Sequence, residues 1–131
     1  MNKEMLDGRK KKISVSPEAM EESLKKGVSE MLVLFLLTQG EKYVGEMTEI
    51  LYQRSSGRLD ISFPYAIIYR LLDARYIQLA DKRPAPDGRR RQYYRISPEG
   101  RAYLNELLGM FRRFMGGVEQ ILMTEEEEEH G

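Results

Sequence analysis

The chain of 131 residues has room for one core, or one small domain with an added helix, and its 41% hydrophobic and 32% charged residues suit a folded protein. It has no cysteine, and its single histidine is the second-last residue, His130, which excludes a disulfide framework, a thiolate zinc site, a cysteine nucleophile and a histidine-centred site inside the fold. Its 21 basic and 21 acidic residues cancel in sum but not locally: nine basic residues against four acidic ones lie between Arg70 and Arg101, and Glu125–Glu129 form an acidic end.

Residues 1–15 show no apolar periodicity and read as a flexible basic arm. Ser16-Pro17-Glu18 is a helix start, with a hydroxyl cap, proline at the first helical position and an acid at the positive end of the dipole. That helix is expected to be short and to end near Gly27. Ser29 caps a second helix, whose run Met31–Leu37 is apolar nearly all round and hence buried, ending at Gly40. This run is also the longest apolar stretch, far below the roughly 18 residues of a membrane span. No secretory segment precedes it, so a cytoplasmic protein without a membrane partner is expected. A third helix runs from about Tyr43 to Arg54, with Met47, Ile50 and Leu51 on one face, and Ser55-Ser56-Gly57 breaks it.

From Ser62 to Arg75 a helical period places Pro64, Ile67, Ile68, Leu71 and Leu72 on one side. Ser62, Ala66, Tyr69, Arg70 and Asp73 fall opposite, with Tyr65 at the border. The period then changes to alternation. Tyr76–Leu79 and Arg91–Ile96 read as two short strands, closed into a hairpin by Pro84-Ala85-Pro86-Asp87-Gly88. Tyr93 and Tyr94 point to opposite faces of the second strand, so at most one reaches outward. Ser97-Pro98-Glu99 repeats the helix start, opening a helix that runs to about Leu122.

Three short helices followed by a basic hairpin make a mainly α (α+β) winged helix-turn-helix. In that arrangement the third helix of the trio enters the major groove and the hairpin lies along the backbone. Lys82, Arg83, Arg89, Arg90 and Arg91 surround the hairpin tip, a cluster suited to neutralising phosphates. With Tyr43, Ser62, Tyr65, Tyr69 and Arg70 they form the expected DNA-binding set. Glycine-rich phosphate loops and nucleophile elbows are missing, so neither an enzyme nor a cofactor or metal is expected.

These residues resemble the PadR-like transcriptional regulators over about Glu30 to Leu122. Met31–Leu37 with Gly40 is similar to the family's first buried helix. Tyr43-Val44-Gly45-Glu46-Met47 resembles its Tyr-Gly-Tyr-Glu-Ile stretch, and Tyr65–Leu71 its recognition helix. Arg91-Gln92-Tyr93-Tyr94-Arg95-Ile96-Ser97-Pro98-Glu99-Gly100 is similar to its Arg-Lys-Tyr-Tyr-Arg-Leu-Thr-Glu-Glu-Gly signature. Val44 and Gly45 depart from the pattern, and Arg75 stands where a glycine usually ends the recognition helix. Some relatives stack flat aromatic compounds on a tryptophan at the dimer interface. Tryptophan is missing here, so drug binding is not implied. Met110, Phe111, Phe114 and Met115 at helical spacing read first as interface core, with a small hydrophobic effector as the further expectation.

On the last helix the apolar residues cover about 160° of arc, wider than a two-stranded seam. Leu104, Leu107, Leu108, Phe111, Phe114, Met115, Val118 and Leu122 are therefore expected at a homodimer interface. The expected organisation is an arm over 1–15, a winged helix over 16–97, a dimerisation helix over 98–123 and a disordered acidic tail over 124–131. The expected function is a sequence-specific repressor binding double-stranded DNA as a homodimer on a two-fold operator. The rival reading is a winged-helix module for protein or RNA contact.

Overall fold

The computed structural model describes residues 15–63 and 65–130, with backbone alone from 125. The expected arm, apart from Val15, and Pro64 lie outside the described residues. The chain forms four helices, α1 (Pro17–Leu37), α2 (Val44–Arg54), α3 (Tyr65–Asp73) and α4 (Pro98–His130), with a hairpin of β1 (Ile77–Pro84) and β2 (Arg90–Ile96) between α3 and α4.

The two expected N-terminal helices are one. Ser16 caps α1 as anticipated, its hydroxyl accepting from Ala19 N at 3.1 Å. The helix then passes through Gly27 without a break. Ser29 is no cap: its hydroxyl donates to the Lys25 carbonyl at 2.6 Å, one turn back within the helix. A mid-helix glycine costs about 1 kcal/mol relative to alanine. Burying Val33, Leu34, Leu36 and Leu37 outweighs that several-fold. The chain turns only after Thr38, where Gly40 takes a φ of +130°.

The hairpin is longer than alternation suggested. β1 continues past Leu79 to Pro84, with a register shift between Leu79 and Lys82. Gln92 bridges that irregularity, donating to the Ala80 carbonyl at 2.9 Å. Pro84 is tolerated because it stands at the strand's end, where no ladder donor is needed. The tip is Pro86-Asp87-Gly88, closed by Ala85 N donating to Arg89 O at 2.8 Å, with Gly88 at φ +85° in the left-handed position such loops require. Lys42 adds a single bridge to the other edge of β2, exchanging hydrogen bonds with Tyr94 at 3.0 and 3.3 Å. This bridge fastens the wing to the start of α2.

Leu34, Met47, Ile68 and Ile77 meet in one core, with Tyr94 and Leu104 closing it. α4 begins at a tight joint. Ser97 Oγ accepts from Gly100 N at 3.0 Å and lies 2.7 Å from the Arg75 carbonyl, to which it donates. Tyr103 stacks on Tyr76 with centroids 4.3 Å apart. The helix does not stop near Leu122; its 33 residues continue to His130, through the segment expected as a tail. Among the described residues no helix is long and apolar enough to cross a membrane.

Candidate nucleic-acid interface

α3 buries Ile67, Ile68 and Leu71, so its 3.6-residue period turns Tyr65, Ala66, Tyr69 and Asp73 outward. Tyr65 and Tyr69, 59% and 62% exposed, lie one turn apart with rings stacked at 6.1 Å. Ser62 is exposed in the loop leading to this helix. Arg70 is placed differently from the expected groove-facing position. Its guanidinium donates to Glu30 on α1, so it lies on the α1 side of α3 rather than beside the tyrosines.

Between the starts of α2 and α3 and the wing is a recess of about 60 Å³, lined in part by Tyr43, Gly45, Tyr65 and Arg91. Tyr43 is half-buried against the Tyr93 ring, edge-on at 5.4 Å, and the loss of water pushes its hydroxyl pKa up. Arg91 sits over Tyr43 at 5.4 Å and donates to Asp87 at 3.0 Å. Tyr93 and Tyr94 are both buried, so neither reaches outward. Tyr94 closes the core, and desolvation raises its hydroxyl pKa; Tyr93 fills the opposite sheet face.

The five cations assigned to the wing tip are not equivalent. Lys82, Arg89 and Arg90 are exposed and make no ion pair among the described residues. Arg83 instead donates to Glu41 at 3.0 Å and lies 3.7 Å over the Tyr93 ring. Asp87, which accepts from Arg89 N as well as from Arg91, has its carboxyl pKa lowered by those two bonds. Glu41 is lowered likewise, first by Arg83 and then by Arg95. Glu41 did not stand out in the sequence, and Arg95 did so only within the Tyr93-Tyr94-Arg95 stretch, because the Lys42 bridge is what brings residue 41 beside residues 83 and 95.

On α4 the residues assigned to a partner divide into two groups. Leu104 is 4% exposed and belongs to the chain's own core, so that assignment is corrected: the chain itself already covers it. Leu107, Leu108 and Phe111 are partly covered by the same core, and Met115 is half-buried. Beyond them Phe114, Val118 and Leu122 are exposed, as are Met20 and Leu24 on α1. Among the described residues no group of acids and histidine is arranged to hold a metal.

The profile described as the transcriptional regulator PadR-like family matches residues 33–106. A transcriptional regulator from Streptococcus has a similar structure, with a TM-score of 0.61 at 28% identity, over 75% of this chain and 95% of that one. A PadR family regulator from Eggerthella lenta gives 0.65 at 25%, over 80% and 87%. A regulator from Clostridium thermocellum gives 0.65 at 23%, over 75% and 96%, and supports the fold. No curated protein matches the chain.

Proposed function

The chain belongs to the PadR-like family of transcriptional regulators, DNA-binding proteins and not enzymes, and on that premise we propose that it is a homodimeric repressor that reads a two-fold operator. The observation that carries the reading is that Tyr65 of α3 and Arg91 of the wing line one recess, which brings the two kinds of contact side by side. Tyr65 and Tyr69 stand out from α3, and Lys82, Arg89 and Arg90 are exposed on the wing and make no ion pair among the described residues. Base edges suit the first group and phosphates the second.

In this reading residues 16–97 dock on the duplex, 98–123 join two copies, and Tyr43 and Ser62 flank the docking surface. The exposed end of the α4 stripe supports the dimer, because Phe114, Val118 and Leu122 are large apolar side chains left exposed among the described residues. Met110, Phe111, Phe114 and Met115 offer apolar side chains to a small hydrophobic effector. Failure of every compound in an apolar panel to shift operator binding removes the effector from the reading.

The test of DNA contact is salt dependence. Replacing Arg89, Arg90 and Arg91 by alanine is expected to weaken binding to operator and random duplex alike and to flatten the slope of log K against log salt. Each lost phosphate contact contributes about 0.9 to that slope. Slopes equal to the parent's would take the wing out of the interface. Retention of RNA or protein without duplex binding would favour the rival module.

A further inference from the structure

The sheet face opposite the core carries a charge cluster that phosphate binding at the wing tip does not require. Glu41 precedes the Lys42 bridge by one residue and so lies on the face of Tyr93 and Arg95. Its two oxygens are shared out. Oε1 accepts from Arg83 Nη1 at 3.0 Å and Oε2 from Arg95 Nε at 3.2 Å. All three side chains are partly exposed, so the cluster is open to a competing anion. A carboxylate divided between two guanidinium groups offers the same charge-assisted acceptors as the two unesterified oxygens of a DNA phosphate.

We infer that Glu41 is an internal stand-in for a DNA phosphate, which holds Arg83 and Arg95 in the unbound protein and so limits sequence-independent binding. The inference rests on the reading of the wing as a phosphate-binding element. Random DNA is held through backbone charge, and its affinity follows the number of cations available to it. With Glu41 in place the wing offers Lys82, Arg89 and Arg90. Without that carboxylate it also offers Arg95, and Arg83 with only the more distant Asp81, at 3.8 Å, left as a partner. Glu41 acts through the arginines and is a positioning residue, with no base contact of its own.

The experiment measures binding of the full chain to a random-sequence duplex across a salt series. Glu41→Gln is expected to bind more tightly than the parent, with a slope steeper by about 0.9 to 1.8, the equivalent of one or two phosphates. Adding Arg83→Gln and Arg95→Gln to that variant removes the gain. A Glu41→Gln slope equal to or shallower than the parent's overturns the inference and leaves Glu41 as a tie for the wing. Arg89→Gln with Arg90→Gln separates the two claims, since a slope they fail to lower overturns the wing reading itself. A measurement on the parent alone needs no variant to fold. The Arg95 Nε–H resonance should stay unmoved as random duplex is added at low salt, and its displacement would overturn the inference.

Discussion

Gly100 shows how little room a single position leaves. A Cβ built there lies 2.0 Å from the Tyr76 carbonyl oxygen and 2.9 Å from Ile96 Cγ1, so the start of α4 and the strand entrance are in backbone contact. Gly100→Ala is expected to destabilise by about 3 kcal/mol or more, since the overpacked atom is backbone and no rotamer relieves it. A denaturant midpoint within error of the parent's would contradict that contact. Arg75 presents the opposite case, a non-glycine residue at φ +66° where the chain leaves α3. Left-handed backbone costs a side-chain-bearing residue about 1–2 kcal/mol, and glycine's extra freedom when unfolded returns about 0.5–1. Arg75→Gly should therefore stabilise by about 0.5–1 kcal/mol, as a raised urea midpoint with unchanged slope. Arg70 shows what periodicity omits: its outward position was legible, but its partner Glu30 lies forty residues earlier on another helix.

At the scale of elements, what local chemistry decides was readable and what pairing decides was not. Ser16 and Ser97 cap their helices as hydroxyls before proline, and the α3 face followed from spacing alone. Gly27 misled because glycine ends a helix only where the backbone turns left-handed, and here the apolar run downstream keeps the helix going. Gly27→Ala has open space around the new methyl group and is expected to stabilise α1 by about 1 kcal/mol. A fall in melting temperature would mean that the glycine serves a contact outside this chain. The distal wing had no alternation to detect, because Asp81-Lys82-Arg83-Pro84 is held as a strand by its partner, not by a buried face. The Lys42 bridge, one residue wide, was equally invisible, and with it the arginine cluster on Glu41.

For the molecule as a whole, the apolar arc of α4 was legible but its division was not. Sequence spacing cannot tell Leu104, inside its own core, from Phe114, 64% exposed ten residues later. Phe114 is therefore the sharper probe of assembly than Phe111, which the chain's own core partly covers. Phe114→Glu would place a carboxylate in a dry interface at a cost of several kcal/mol. The parent is expected to sediment as a dimer at micromolar concentration and the variant as a monomer with an intact melting transition. Operator affinity should fall with it, because each half loses its tethered neighbour. A monomeric parent would remove both the dimer and the two-fold operator.

The joint of Ser97 and Gly100 also sets a lever. A 33-residue helix is about 50 Å long and is seated at one end only, so a tilt of about 10° at Gly100 swings its far end by roughly 9 Å. In the proposed two-fold pair the same tilt occurs twice, related by the two-fold rotation, and alters the distance between two recognition helices. Operator half-site spacing would then be tuned at a glycine that never approaches DNA, and helical phasing between half-sites becomes a property of packing at the root of α4.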